Sequence, residues 1–415
     1  MTGTVDFGLI LTVFVATYIG MALGRFPGLS IDRAGIALLA AIVLAVTGAV
    51  TPAGILDSID FPTLFVPFGL MILSAQFDAS GFYDWCSLRI AGLERSPVWL
   101  LGAVVATSGL LSAVLANDVV VFAMTPLLCA GLLARGLDPR PYLIGLAGGA
   151  NAGSAATLIG NPQNILIGQT GALDFWNFLA ACAVPALIGL GCVFLVTCLV
   201  WRGRFERVTP PVPALPMQKL DRTHLLKAIA AICALLALFA TPLPHAVSAL
   251  IIGGALLVSR RLETRTLFGK VDWPLLVLFA GLFVVTEALA TTGLPGRAVD
   301  LLAASGLTPD KLSVLAPVAI LGSNSIGNVP AVILLLAVWP DLAAETLYGL
   351  AILSTLAGNL LIVGSLANII TVERAKSAGV RLGFIEHARC GVPMTLLSLA
   401  GAGLWLWLSG LMPLV

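Results

Sequence analysis

Apolar runs that approach or exceed the length of a bilayer crossing recur along nearly all of this 415-residue chain, and no other property restricts its fold so severely. About 18 apolar residues span the hydrocarbon layer as a helix. Runs of that order occur near 5–23, 34–50, 61–79, 175–200, 225–240, 246–258, 273–290 and 391–411. The chain is 59% hydrophobic and 10% charged, where a soluble domain carries about 25% charge. Lipid offers backbone groups no partners, so each span must satisfy its own as a helix. The expected class is therefore an all-α polytopic membrane protein.

Composition excludes several alternatives. The net charge of +1 comes without a basic patch, so no nucleic-acid partner is expected. The seven cysteines show no CxxC or Cys/His cluster and read as small buried hydrophobes, with no metal site or disulfide. The opening MTGTVDF lacks a basic n-region, so no cleaved signal peptide is expected. There is no HExxH motif and no nucleophile–base pair, which argues against an enzyme.

Polar and helix-breaking residues interrupt two apolar stretches in each half. Asn117-Asp118 divides 97–133, and Gly160-Asn161-Pro162 breaks a crossing over 142–167. A second hairpin is expected at about 312–339, and a second broken crossing at 345–370, near Gly364. Broken helix is tolerated at membrane depth only when buried in protein or lining a water-filled cavity. Polar side chains placed there mark function.

Basic residues set the orientation. With the Pro-rich linker 201–223 in the cytoplasm, 20 of the 22 Lys and Arg residues fall on that side; only Arg297 and Lys311 do not. That count fits ten crossings and two re-entrant hairpins, with both termini outside the cytoplasm of a bacterial-type inner membrane.

The halves also repeat. Asp60-Phe61-Pro62 recurs as Asp272-Trp273-Pro274, Gly69-Leu70 as Gly281-Leu282, Asn117 as Asn328, and Gly160-x-x-x-Asn164 as Gly364-x-x-x-Asn368. Residues 1–200 form one repeat and 224–415 the other. Each holds five crossings and one hairpin, and five is odd, so the repeat is inverted. Inverted repeats with paired broken helices are the signature of secondary transporters that bind near the midplane.

The candidate site follows. Asp118 is the one carboxylate placed deep on a hairpin, which makes it the candidate proton carrier; capping of the next helix is its structural alternative. Asn117 and Asn328 sit at equivalent tips and can hold a cation or a polar cargo. Asn161, Gln163 and Asn164 flank one break, and Ser365 and Asn368 the other. Asn151, Ser154, Thr157, Gly160, Ser323, Asn324, Ser325, Asn359 and Gly364 are secondary candidates, because small-residue runs such as 147–156 also mark close packing. Glu287 and the three histidines are placed at span ends. No Lys or Arg is placed at the midplane.

At LANDVVVFAMTP (115–126), AATLIGNPQNILIG (155–168), SNSIGNVPAVILL (323–335) and GNLLIVGSLANIITVERA (358–375) the chain resembles the ion transporter superfamily. That group includes arsenite/antimonite permeases, citrate and divalent-anion/sodium symporters and sodium/proton antiporters. In the divalent-anion symporters each hairpin tip carries Ser-Asn-Thr, which binds sodium and carboxylate. The matching triplets here are Ala116-Asn117-Asp118 and Gly327-Asn328-Val329. The asparagine is kept and the hydroxyls are lost. An Asn-Asp tip looks more like the arsenite permeases, whose cargo is largely neutral near pH 7 and whose coupling is to protons.

The reading is a secondary transporter of a small anion or oxyacid, coupled to H⁺ or Na⁺ by alternating access. It needs no cofactor beyond Na⁺ as a coupling ion, and its partners are the cargo, the bilayer and a second copy as a homodimer. A Na⁺/H⁺ antiporter is the main alternative, and an uncoupled pore a remote one.

Overall fold

The repeated Asp-aromatic-Pro motif is a helix start. Asp60 and Asp272 are N-caps whose carboxylates accept from the backbone N–H of Thr63 and Leu275, with proline in the first turn of each helix. Similar caps open other helices: Thr51, Ser96, Asp138, Asn161, Asp174 and Asp221 each accept from backbone N–H groups of the helix they precede.

A computed structural model describes residues 7–24, 31–92, 96–205, 220–259 and 262–415. Residues 206–219 of the linker lie outside the described residues, as do Arg25, Arg95, Arg207, Lys219, Arg260 and Arg261 of the cytoplasmic basic set. The first half contains α1 (Phe7–Leu23), α2 (Arg33–Val46), α3 (Pro52–Ser58), α4 (Phe61–Ala79), α5 (Phe82–Ala91), α6 (Pro97–Val114), α7 (Asn117–Ala134), α8 (Pro139–Ser154), α9 (Pro162–Thr170) and α10 (Phe175–Val200). The second contains α11 (Arg222–Leu238), α12 (His245–Leu257), α13 (Thr264–Phe268), α14 (Trp273–Ala290), α15 (Leu294–Ala304), α16 (Leu312–Ile326), α17 (Asn328–Val338), α18 (Ala344–Ala357), α19 (Leu366–Ser377) and α20 (Phe384–Leu408). A short 3₁₀ turn, Ile362–Gly364, precedes α19. No strand occurs among the described residues.

Helix for helix, the second set follows the order of the first, including the short third and fifth members. Among the described residues six helices are long and apolar enough to cross a membrane: α4, α6, α7, α10, α14 and α20. The two legs of the first hairpin are among them, whereas the legs of the second run only 15 and 11 residues.

The packing repeats as well. The halves interlock, with α4 on α12 and α14 on α2. Glycines permit this approach. A Cβ on Gly69 would lie 2.4 Å from the Ala249 carbonyl oxygen, and one on Gly281 would lie 2.7 Å from the Ala37 carbonyl carbon. The repeated Gly-Leu pair is therefore a packing device in both halves. Substituting Gly281 with alanine is expected to cost about 1–3 kcal/mol by forcing α14 off α2, read as a lowered unfolding temperature in detergent.

The structure differs from the sequence reading at several element ends. The loop expected after residue 81 contains α5, and short α3, α13 and α15 also precede or follow crossings. The last span begins at Phe384 instead of Gly391, so His387 lies within the helix, buried, its Nε2 3.2 Å from the Asn359 carbonyl oxygen.

Candidate transport site

Two unwound segments face each other, 155–161 between α8 and α9 and 358–365 between α18 and α19. Breaking a helix frees carbonyl groups that need partners. Here one asparagine answers each break. Asn164 Nδ2 donates to the carbonyls of Ser154 (3.2 Å) and Thr157 (2.9 Å). Asn368 Nδ2 donates to those of Gly358 (2.8 Å) and Leu361 (3.1 Å). The two acceptor pairs are related by the same 204-residue spacing that relates the donors. Asn164 and Asn368 therefore hold the breaks in shape.

The breaks are joined across the halves by two equivalent polar centres, Asn151 and Thr355. Asn151 Oδ1 accepts from Ser365 Oγ (2.9 Å) and from Asn117 Nδ2 at the first hairpin tip (3.2 Å). Its Nδ2 donates to Asn359 Oδ1 (2.8 Å) and Asn368 Oδ1 (3.2 Å). Thr355 Oγ1 accepts from Asn161 Nδ2 and Gln163 Nε2, both at 3.2 Å, and donates to Asn164 Oδ1 at 3.3 Å. Asn161 Nδ2 also reaches Ser154 Oγ at 3.0 Å, and Asn359 Nδ2 reaches the Gly148 carbonyl at 3.2 Å. Most of the network is fully buried.

The first hairpin tip is pinned to the first break. Asn117 N donates to the Gly160 carbonyl at 3.1 Å, and Thr157 Oγ1 donates to that of Ala113 at 2.6 Å. Gly160 and Gly364 admit no side chain: a Cβ on either would lie 2.4 Å from an oxygen, that of the Ser154 carbonyl or Asn324 Oδ1. Asn324 and Ser323 join α16 to α18, donating to the carbonyls of Ala357 (2.9 Å) and Ser354 (3.2 Å). Ser325 is exposed and stands outside the network, as does exposed Glu287.

Asn117, Asn328 and Asp118 carry unused bonding capacity, as does the buried Oδ1 of Asn324, which has no partner among the described residues. Asn117 Oδ1 is buried with no hydrogen-bond partner. The Asn328 side chain is 7% exposed and makes no hydrogen bond among the described residues. Asp118 likewise has none, and the first helical turn it occupies is capped by no side chain, so the capping alternative does not apply.

Asp118 lines a cavity of about 350 Å³ that Asn161 and Pro162 of the first break also line, with Phe122, Asp78, Lys270 and Asp272. Asp78 is paired with Lys270 at 2.8 Å, and Asp272 caps α14 through the Leu275 N–H at 3.1 Å. Asp118 is thus the carboxylate in this cavity with no partner among the described residues.

Sequence reading missed Thr355, Asp272 and Arg33. The repeat spacing alone points to Thr355, which lies 204 residues after Asn151. Arg33, counted there as a cytoplasmic loop charge, is the first residue of α2, and its guanidinium lies against the second hairpin tip.

Broken helices bonded across two like halves, with a carboxylate-lined cavity reaching one hairpin tip, fit a multi-pass membrane transporter, the class to which the chain's family and relatives belong. The chain belongs to the citrate transporter family, whose profile matches residues 12–348. It is 28% identical to a 46 kDa membrane protein of Mycobacterium leprae, over 96% of this chain and 98% of that one. It is 27% identical to the silicon efflux transporter LSI3 of Oryza sativa subsp. japonica, over 95% of each, and 24% identical to the putative transporter arsB of Dictyostelium discoideum, over 89% and 86%. Its fold is similar to that of the YdaH transporter of Alcanivorax borkumensis, with a TM-score of 0.57 at 16% identity over 98% of both chains.

Proposed function

We propose that this chain is a secondary active transporter that moves a small anion or oxyacid across the inner membrane, coupled to H⁺ or Na⁺, by alternating access. The observation that carries this reading is the equivalence of the two breaks, each held by one asparagine and bonded to the other half. Two like halves meeting at one site give the two gates that alternating access requires. The repeated helix order supports an inverted repeat of five crossings and one hairpin, residues 1–200 and 224–415, about the cytoplasmic linker. Under that layout both termini lie outside the cytoplasm, and Asp78, Lys270 and Asp272 mark the cytoplasmic end of the cavity, which leads inward to Asp118. Asp118 takes the coupling proton. Cargo contacts fall to Asn117, Asn161, Gln163 and Asn328. The silicon named for one relative favours an oxyacid, and the family name a carboxylate.

The cavity lining favours one second reading. Three carboxylates against one lysine suit a cation, as a Na⁺/H⁺ antiporter would need. Proteoliposomes with an internal pH dye separate the two. The first reading predicts, with arsenous acid, silicic acid or citrate, either a dye response without a sodium gradient (H⁺ coupling) or cargo uptake that requires one (Na⁺ coupling). A response to sodium alone, with none to these cargoes, would overturn it.

A further inference from the structure

The second hairpin tip carries a cation that neither charge counting nor the repeat motifs reveal. Arg33 opens α2, and its Nε donates to the Met21 carbonyl at 3.2 Å, which caps the end of α1. From there the guanidinium reaches Gly327, where a Cβ would lie 3.3 Å from Arg33 Nη1. Gly327 has φ +94°, a conformation open to glycine, and the lack of a side chain leaves room for the guanidinium. No ion pair forms to Arg33 among the described residues. Its neighbour Asp32 is engaged elsewhere, accepting from the Gly35 N–H at 2.8 Å to cap α2.

The next residue, Asn328, begins α17, an 11-residue helix. A helix N-terminus carries partial positive charge and free N–H groups. Asn328 is a buried residue, 7% exposed, and its amide has no partner among the described residues. Its Nδ2 points toward the second break, 2.9 Å from where a Cβ on Gly358 would lie. A guanidinium, the Nδ2 of an unpaired amide and a helix N-terminus on one turn present donors. Apart from the Met21 carbonyl at Arg33 Nε, no acceptor among the described residues meets them.

We propose that Arg33 is an anion-recognition residue, forming with Asn328 and the N-terminus of α17 a subsite for an oxyanion edge, whether of a carboxylate or a mineral oxyanion. A guanidinium suits such an edge because two parallel N–H groups meet two oxygens. The two tips then divide the work. The first holds Asp118, where the second has Val329. The second holds Arg33, where the 212-residue spacing between Gly69 and Gly281 places His245 in the other half. One tip carries the acid and the other receives the anion. This rests on the transporter reading above and deepens it.

The test uses the full-length chain in phosphate-free detergent, with citrate, sulfate and arsenous acid as probes followed by thermal shift and equilibrium binding at neutral pH. At least one of the two anions binds the wild type. Arg33→Gln weakens that binding about tenfold or more, and Arg33→Lys, which keeps charge but not the fork, falls between. Binding of neutral arsenous acid changes little. Citrate alone, or sulfate alone, identifies which oxyanion is recognised. Asn328→Asp, which opposes an anion without touching Arg33, also abolishes anion binding, so the outcome does not hang on one variant folding. Wild-type anion affinity in Arg33→Gln, or no anion binding by the wild type, overturns the proposal. Proton coupling that depends on Asp118 is measured separately, so loss of that reading is distinguishable from loss of this one.

Discussion

Asp118→Asn is expected to abolish accumulation driven by a pH gradient while cargo-for-cargo exchange continues. The substitution keeps the shape of the side chain and removes its proton. Asp118 suits the role by its lack of company: Asp78 is held by Lys270 and Asp272 by the Leu275 N–H, while Asp118 faces the cavity unpaired among the described residues. A group that breaks no other bond when it gains or loses a proton can do so on every cycle. It also begins the helix beside Asn117, which is bonded to both the Gly160 carbonyl and Asn151. A change of charge at residue 118 therefore acts on the turn that ties the first hairpin to both breaks. Asp272→Asn should behave differently. Asparagine is a good N-cap, so proton-driven uptake should survive with modest loss. Uptake into proteoliposomes under an imposed pH gradient reads both. Full coupling in Asp118→Asn would remove this residue from the proton path.

The second large effect falls on Asn151. It bonds four side chains from two places: Asn117 on the first hairpin, and Asn359, Ser365 and Asn368 at the second break and the helix turn after it. Asn151→Leu fills the volume but leaves several buried donors and acceptors unmet. Each costs about 1–3 kcal/mol, and because they share one network the losses do not add simply. The expected result is a fall in unfolding temperature larger than that of Gly281→Ala, together with loss of transport. Thr355→Val tests the equivalent centre, with a smaller fall because it meets three amides through one hydroxyl. Wild-type stability in Asn151→Leu would mean that the halves are not held together through this residue.

Much of this arrangement is legible from local pattern. Gly160-Asn161-Pro162 cannot continue a helix, so the first break can be placed within a residue or two. Asn117-Asp118 has no place on a lipid-facing helix, so the hairpin tip follows. The short helices α3, α5, α13 and α15 escape because 5 to 11 residues carry too little apolar pattern to stand out between crossings. Partnerships escape for another reason. Asn161 meets Thr355 across 194 positions, and no local signal records which hydroxyl an amide will find. Arg33 shows the limit of charge counting, which assigns a residue to a side of the membrane and ignores how far its side chain reaches. The repeat spacing recovers part of what local pattern loses, since it leads from Asn151 to Thr355 and from Arg33 to His245.

The central claim is that one site opens alternately to the two sides. Ala116, at the first hairpin tip, is half-buried and lines the cavity. With the seven native cysteines replaced, Ala116→Cys can be challenged with a membrane-impermeant thiol reagent from either face of oriented vesicles. Alternating access predicts modification from the cytoplasmic face in the resting protein, modification from the opposite face once an opposing cargo gradient is imposed, and protection by cargo on each. Modification from both faces at once at equal rates, unaffected by cargo, would contradict it.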